Sequence, residues 1–366
     1  MTGRLDLERF KATVKGLTQF GDRRQGTDRN RAAIDWIEAQ LKSYGYTNTE
    51  RIRYDFQPPA PGGRGRGPGR GNAQTAGPGG SRRRGFRIPE SVNNDPLKQP
   101  DEKLRALNSQ PSAPGLREEV YCTKIGATHP DEMYIVAAHM DGIGWGEAAN
   151  DDGSGTALVM ELARVFSSPD IETDRSIRFA LWNNEETGLN GARAYVEQRK
   201  DLQGKESPPG SGKYPEPKWL GMIQHDMMMF DHGMPLKDGT IPKTQRPEAD
   251  VNIEYQMTSK LADGAMALAH KFQIASDKYA TDYPANVGPH MTNTDSTPFM
   301  DLVPAISLRE NERGAQLGNG WDPHHHQPTD VYATFSDDDF RLGLNAAQTT
   351  LGAIAQLTGA KFSGLQ

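Results

Sequence analysis

Residues 133–166 read MYIVAAHMDGIGWGEAANDDGSGTALVMELARVF. The opening MYIVAAH is a short, nearly unbroken apolar run, which suits a strand buried on both faces better than one with a wet side. The closing GTALVMELARVF sets Leu158, Leu162, Val165 and Phe166 on one face of a helix. The strand stops at His139-Met140-Asp141, and the helix is preceded by Asn150-Asp151-Asp152-Gly153-Ser154-Gly155. The same order recurs downstream. SIRFALWNN reads as a strand and GLNGARAYVEQRK as an amphipathic helix; WLGMIQHDMM is a strand, LADGAMALAHKF a helix and PAISLRE a strand. DDDFRLGLNAAQTTLGAIAQLTG reads as a long closing helix. Upstream, EEVYCTKIG and TERIRYDF are strand-like, and DRNRAAIDWIEAQLKSY is a helix that Thr27 or Asp28 would cap and Gly45 would end. Strands separated by helices predict an α/β fold, a three-layer αβα sandwich around a central mixed, mainly parallel sheet. In such sheets ligands bind beyond the carboxyl ends of the strands.

The chain has 366 residues, 42 Lys and Arg against 48 Asp and Glu, and a net charge of −6. Neither nucleic acid nor an anionic membrane would be drawn to it as a whole. The single cysteine, Cys122, excludes an internal disulfide and a cysteine-based zinc cluster. No run approaches the roughly 18 apolar residues of a membrane helix, and the opening MTGRLDLERF lacks the apolar core of a signal peptide. Pro58 to Arg87 carries seven Arg and no acid. Such a segment has too little apolar surface to offset chain entropy. An RNA-binding arginine-glycine tail is one reading, but such tails rarely sit inside a domain, and a solvated insertion between two strands is preferred. With the polar, Pro-containing sequence that follows, it is read as a flexible insertion over 58–115 in a single domain spanning 1–366.

Chemistry gathers at the predicted strand ends. His139 and Asp141 follow one strand, Asp151 and Asp152 precede the next helix, Glu185-Glu186 follow a second strand, and His225-Asp226 a third. His324-His325-His326-Gln327-Pro328-Thr329-Asp330 lies in a late loop. Any one of these acidic pairs reads most simply as a helix cap, and the histidine run as a surface patch. Their coincidence at the ends of apolar strands favours a metal partner, because burying unpaired carboxylates is costly. Imidazoles with carboxylates suit Zn²⁺, or Co²⁺ and Mn²⁺ in its place. More than four donors suggest two ions bridged by one carboxylate, roughly 3.5–4 Å apart.

HMDG, NDDGSGTALVMELAR, WNNEETGLNGARAYV, HDM and HQPTD, in this order, resemble the di-zinc exopeptidases of metallopeptidase family twenty-eight, the group of bacterial leucyl-type aminopeptidases, glutamate carboxypeptidase and glutaminyl cyclase relatives. The resemblance covers residues ~20–55 and ~117–358. It implies that His139 and Asp226 bind one zinc, that Glu186 and His326 bind the other, and that Asp151 bridges both. Glu185 would be the general base, Asp141 would orient His139, and a cis peptide would join Asp151 to Asp152. His326 is chosen from the triple because the family places its histidine four residues before an aspartate, here Asp330; His324 and His325 are read as neighbours, not ligands. The implied activity is hydrolysis of a peptide or amino-acyl substrate from its amino end, and relatives are commonly secreted or periplasmic.

Carboxypeptidase, dipeptidase and glutaminyl-cyclase-like acyltransferase forms are the alternatives within the family. The cyclase branch typically has Ser where Asp152 stands here, and the non-catalytic binding modules of this fold lose ligands or the base. The chain has no G-x-S-x-G elbow and no H-E-x-x-H helix. Asn293-Thr294-Asp295-Ser296-Thr297-Pro298-Phe299 stands where many members carry Ser-Asp-His, a difference assigned to the pocket wall. Tyr255, Phe299 and Trp321, with the stretches Phe230–Gln256 and Tyr283–Thr297, are candidates for that wall; Met227, Met228 and Met229 read as core or pocket lining.

Overall fold

A computed structural model describes residues 1–57, 95–230, 238, 240, 251–289, 294–310 and 322–363. Seven helices lie among them: α1 (Leu7–Thr18), α2 (Asp28–Ser43), α3 (Glu102–Leu107), α4 (Gly153–Phe166), α5 (Asn190–Arg199), α6 (Ala262–Tyr279) and α7 (Asp337–Leu357). The strands are β1 (Glu50–Phe56), β2 (Gly115–Lys124), β3 (His129–His139), β4 (Ile171–Glu172), β5 (Arg175–Trp182), β6 (Lys218–His225), β7 (Val251–Tyr255), β8 (Ala285–Gly288), β9 (Ala305–Glu310) and β10 (Lys361–Phe362). Eight of them form one mixed sheet in the order β1-β2-β5-β3-β6-β9-β7-β8. The four central strands, β5, β3, β6 and β9, run parallel. Antiparallel pairing appears only at β1–β2, β2–β5 and β7–β9 within this sheet.

Strand periodicity separates two cores. Along β3, Val136 and Ala138 join Leu158, Leu162 and Phe166 of α4 and the apolar face of α7, including Leu342 and Leu351. Ile135 and Ala137 point the other way, to Trp182, Met222 and Tyr195 of α5. Both faces are covered, which is why MYIVAAH lacks polar alternation. The layers are the expected αβα sandwich. Six elements, α1, α3, β4, β7, β8 and β10, are not legible in the sequence pattern. Helix α1 buries only Phe10, Val14, Leu17 and Thr18, a stripe diluted by charged neighbours, and β8 has no fully buried residue.

Residues 58–94 of the expected insertion lie outside the described residues. The remainder, 95–115, departs from an open loop: it forms α3, capped by Asp101, whose carboxylate accepts from the backbone N–H of Lys103 and Leu104. Gln99 is buried and donates to the carbonyls of Trp145 and Pro328 at 2.9 and 3.0 Å. The Asn108 side chain, also buried, donates to Gly146 O at 2.9 Å and accepts from Asp22 N at 3.1 Å. A polar composition hid these anchors, because what orders the segment is side-chain amides bonding to backbone and not apolar burial.

The parallel centre aligns its strand ends. His139 pairs in register with Trp182, and Ala138 with His225. His225 itself turns into the helical layer: its Nδ1 donates to Ala137 O at 3.1 Å and its Nε2 accepts from Thr350 Oγ1 at 2.8 Å. Burial lowers its pKa from 6.5 to about 4, so the folded state holds it neutral while the unfolded chain would protonate it. Its stabilising contribution is complete above about pH 6.5 and is lost as pH falls towards 4, about 3 kcal/mol in all. Denaturant unfolding of chelated protein should therefore show a flatter acid dependence in His225→Gln than in the wild type. Equal slopes would contradict it.

Candidate metal centre

His139 is the last residue of β3 and is buried. Its Nδ1 lies 3.0 Å from the main-chain carbonyl of Asp141. A carbonyl only accepts, so Nδ1 carries the proton and Nε2 presents a lone pair to the site. Asp141, expected to orient His139, reaches it through its backbone oxygen, with the carboxylate Oδ1 farther away at 3.9 Å. The carboxylate Oδ1 instead accepts from Glu185 N at 3.0 Å, and burial pushes the group up to about 6.

Asp151 stands between two groups of side chains. Its Oδ1 is 3.4 Å from His139 Nε2, and that same nitrogen is 3.6 Å from Asp226 Oδ1. Its Oδ2 is 3.0 Å from His326 Nε2 and 3.3 Å from His325 Nε2. Glu186 Oε2 approaches His326 Nε2 at 2.9 Å. The other four expected ligands therefore gather about Asp151, His139 at one oxygen with Asp226 against it and His326 at the other with Glu186 against it. His325 joins the second side, although the sequence reading left it out. His324 does not: it is buried between the rings of Phe230 and Phe335, with Nδ1 2.8 Å from Thr329 Oγ1.

Local structure fixes each of these groups. The peptide between Asp151 and Asp152 is cis. The Asp152 carboxylate caps α4 by accepting from Gly155 N at 2.9 Å and Met227 N at 3.2 Å, and its other oxygen accepts from His139 N at 3.1 Å. One residue thereby ties the ends of β3 and β6 to the start of α4. A Cβ at Gly155 would sit 2.5 Å from Asp152 Oδ1 and 2.7 Å from His225 O, so the second glycine of NDDGSG is demanded by this packing. Asp330, four residues after His326, accepts from the backbone N–H of Asn150 (2.8 Å) and of Asp151 (3.1 Å). Asp226 Oδ2 accepts from Thr294 Oγ1 at 2.6 Å and from Arg309 at 2.7 Å, which leaves Oδ1 for His139. Because β6 alternates, Asp226 faces the site while His225 faces the helices.

The loop between β3 and α4 is held by a residue the sequence did not flag. Arg23 is fully buried, with Nε on Met140 O (2.8 Å), one terminal nitrogen on Glu147 O (2.8 Å) and the other on Ala148 O (2.7 Å). Trp145 and Ala148 in that loop have φ of 65° and 48°. In the sequence, GDRRQGT looks like a solvated turn.

Burial raises the Asp151 carboxyl, but the three imidazoles His139, His325 and His326 outweigh it and hold the group well below the usual range. Glu185 goes the other way: burial pushes it well above the usual range, and Asp295, Glu186 and Asp226 add to this against His139. Both oxygens of Asp295 and Glu186 Oε1 are buried with no hydrogen-bond partner among the described residues. Donors that share a tetrahedral zinc at about 2.0–2.2 Å lie about 3.3 Å apart. The separations around Asp151 run from 2.9 to 3.6 Å, several of them longer than the ~2.7–2.9 Å of a charge-assisted hydrogen bond. Orphaned oxygens, donor spacing and an imidazole–carboxylate donor set all fit a bound cation.

Of the expected pocket residues, Phe299 is core, packed on Trp182, Tyr195 and Trp219, because the side chain at that short helical turn points under the sheet. Met228 and Met229 are core as well, and Tyr255 is partly buried at the end of β7. Trp321 and residues 231–237, 239, 241–250 and 290–293 lie outside the described residues.

Comparison with known proteins agrees with this geometry. The "Probable lipoprotein aminopeptidase LpqL" of Mycobacterium tuberculosis is 28% identical over 238 residues, 63% of this chain and 43% of that protein. The chain spans less than half the length of the curated relatives it matches first. Among solved structures, an aminopeptidase from Aneurinibacillus sp. strain AM-1 superposes with a TM-score of 0.62 at 18% identity, covering 100% of this chain and 97% of that one. A glutaminyl cyclase of Porphyromonas gingivalis does so with a TM-score of 0.58 at 15% identity, covering 97% and 99%. The family profile described as Peptidase family M28 matches residues 120–347, from β2 to the middle of α7 and spanning His139, Asp151, Glu185, Glu186, Asp226 and His326, and the chain belongs to that family.

Proposed function

We propose that the chain is a zinc-dependent exopeptidase, and within that class an aminopeptidase, with Glu185 as its general base. The observation that supports this best is Asp151, one buried carboxylate approached by imidazoles on both oxygens, with Glu185 just past the neighbouring strand β5 and its backbone N–H held by Asp141. His139, Asp151 and Asp226 would hold one ion, and Asp151, Glu186 and His326 the second; Co²⁺ or Mn²⁺ would substitute. Two such ions supply a water of lowered pKa and polarise the scissile carbonyl. Glu185, whose proton affinity is raised by burial, takes the proton of the attacking water in its ionised form and delivers it to the leaving amine. Thr294 and Arg309 keep Asp226 turned so that one oxygen faces His139. The carboxylates around the centre would receive the α-ammonium group of a peptide's first residue. We take the whole chain as one catalytic domain, acting on peptides outside the cytoplasm as the name of the mycobacterial relative suggests for that protein.

The test is hydrolysis of a panel of amino-acyl p-nitroanilides before and after chelation. Cleavage that is lost with chelator and restored by zinc is the expected result. Cleavage only of N-blocked dipeptides would move the reading to a carboxypeptidase, and cyclisation of N-terminal glutamine without hydrolysis would move it to a cyclase.

A further inference from the structure

We propose that His325 is a ligand of the same ion as His326, so that one half of the centre offers two imidazoles and the other offers one. This rests on the metal reading above and adds a donor to it. The Nε2 atoms of His325 and His326 converge on one oxygen, Asp151 Oδ2, at 3.3 and 3.0 Å. The first of these distances is that between donors sharing a tetrahedral zinc, about 3.3 Å, and is long for a hydrogen bond to a carboxylate.

The backbone explains how adjacent residues reach one point. Successive side chains of an extended chain diverge to opposite sides. Here His326 has φ of 55°, the left-handed region that a non-glycine residue enters at a cost. The two rings consequently lie side by side, with centroids 3.8 Å apart and planes 33° from parallel. His325 is also not splayed into solvent: its side chain is 20% exposed, close to the 17% of His326. The third histidine of the run shows the contrast, since His324 spends its Nδ1 on Thr329 and its ring on Phe230 and Phe335.

The consequence is an asymmetric pair. One ion would have Asp151, Glu186, His325 and His326. The other would have His139, Asp151 and Asp226, with Arg309 drawing on the second oxygen of Asp226. Imidazole is the better zinc donor of the two types, so the two-histidine position should fill first and empty last.

Zinc titration of chelated full-length protein against a chromophoric competitor tests this in the wild type, His325→Ala and His325→Gln. The tighter of two binding steps is expected to weaken roughly 10–100-fold in both variants, the scale of altered metal-site partners, with the other step within about twofold. X-ray absorption of wild-type protein carrying one equivalent of zinc is expected to count two imidazoles. Unchanged titrations, or one imidazole in that spectrum, would overturn the role of His325 while leaving the metal centre standing. No zinc uptake by the wild type would overturn the metal reading itself, and this inference with it.

Discussion

Glu185→Gln should lower kcat by about 10²–10⁴-fold, the range of a lost general base, while KM and bound zinc stay close to wild type. Glutamine keeps the shape and the backbone N–H bond to Asp141 Oδ1, so His139 and the Asp141 segment should not move. What it lacks is a site for the proton. Glu185 is not in hydrogen-bond contact with any of the five expected ligands in the described contacts, and its neighbour Glu186 carries the contact to His326. Metal content should therefore separate the pair: Glu186→Gln should release zinc, whereas Glu185→Gln should not. Steady-state kinetics with elemental analysis of both variants checks this. A kcat within tenfold of wild type in Glu185→Gln, at full metal content, would remove it from the proton-transfer role.

Arg23→Met is expected to be the most destabilising substitution away from the metal ligands. It removes the shared partner of Met140 O, Glu147 O and Ala148 O, of which only Ala148 O keeps another donor, the Gly153 N–H. An unsatisfied buried polar group costs about 1–3 kcal/mol, so with two carbonyls left without a partner a loss of at least about 2 kcal/mol is expected. Arg23→Lys should recover only part of it, because a single ammonium cannot replace a planar fork that addresses three carbonyls at once. The loop concerned connects His139 to Asp151, so zinc affinity should fall along with stability. Chemical denaturation of the chelated proteins measures the first effect without interference from the second. A loss below about 1 kcal/mol in Arg23→Met would show that the loop holds its shape unaided.

What could be read from the residues alone followed local physics. MYIVAAH, SIRFALWNN and WLGMIQH are strands with two buried faces, and their compositions say so. Four of the five expected ligands and Glu185 each follow such a run or precede a helix, where sharp changes from apolar to acidic sequence mark them; His326 stands in a loop. The supporting shell left no such trace. Arg23, Asn108 and Gln99 look like surface residues in any window around them, and only the tertiary structure turns their polarity inward. Asp295 lies in a segment read merely as pocket wall, yet its carboxylate is buried with both oxygens unpartnered among the described residues. The triple histidine gave three equivalent candidates. The family resemblance, which places its histidine four residues before an aspartate, singled out His326, but the positive φ that also swings His325 inward is a backbone property that no residue type there announces.

Asp330 grips the amides of Asn150 and Asp151 from 180 and 179 positions further along the chain. A ribosome delivers the first four donor segments long before this clasp exists. Until the segment carrying His326 and Asp330 has emerged, Asp151 lacks both the imidazoles on one oxygen and the anchor of its own backbone. Chains stopping before this point should therefore bind zinc more weakly and fail in the proposed hydrolysis. The order of the donors along the sequence would thus hold the proposed activity back until the last of them, His326, is in place.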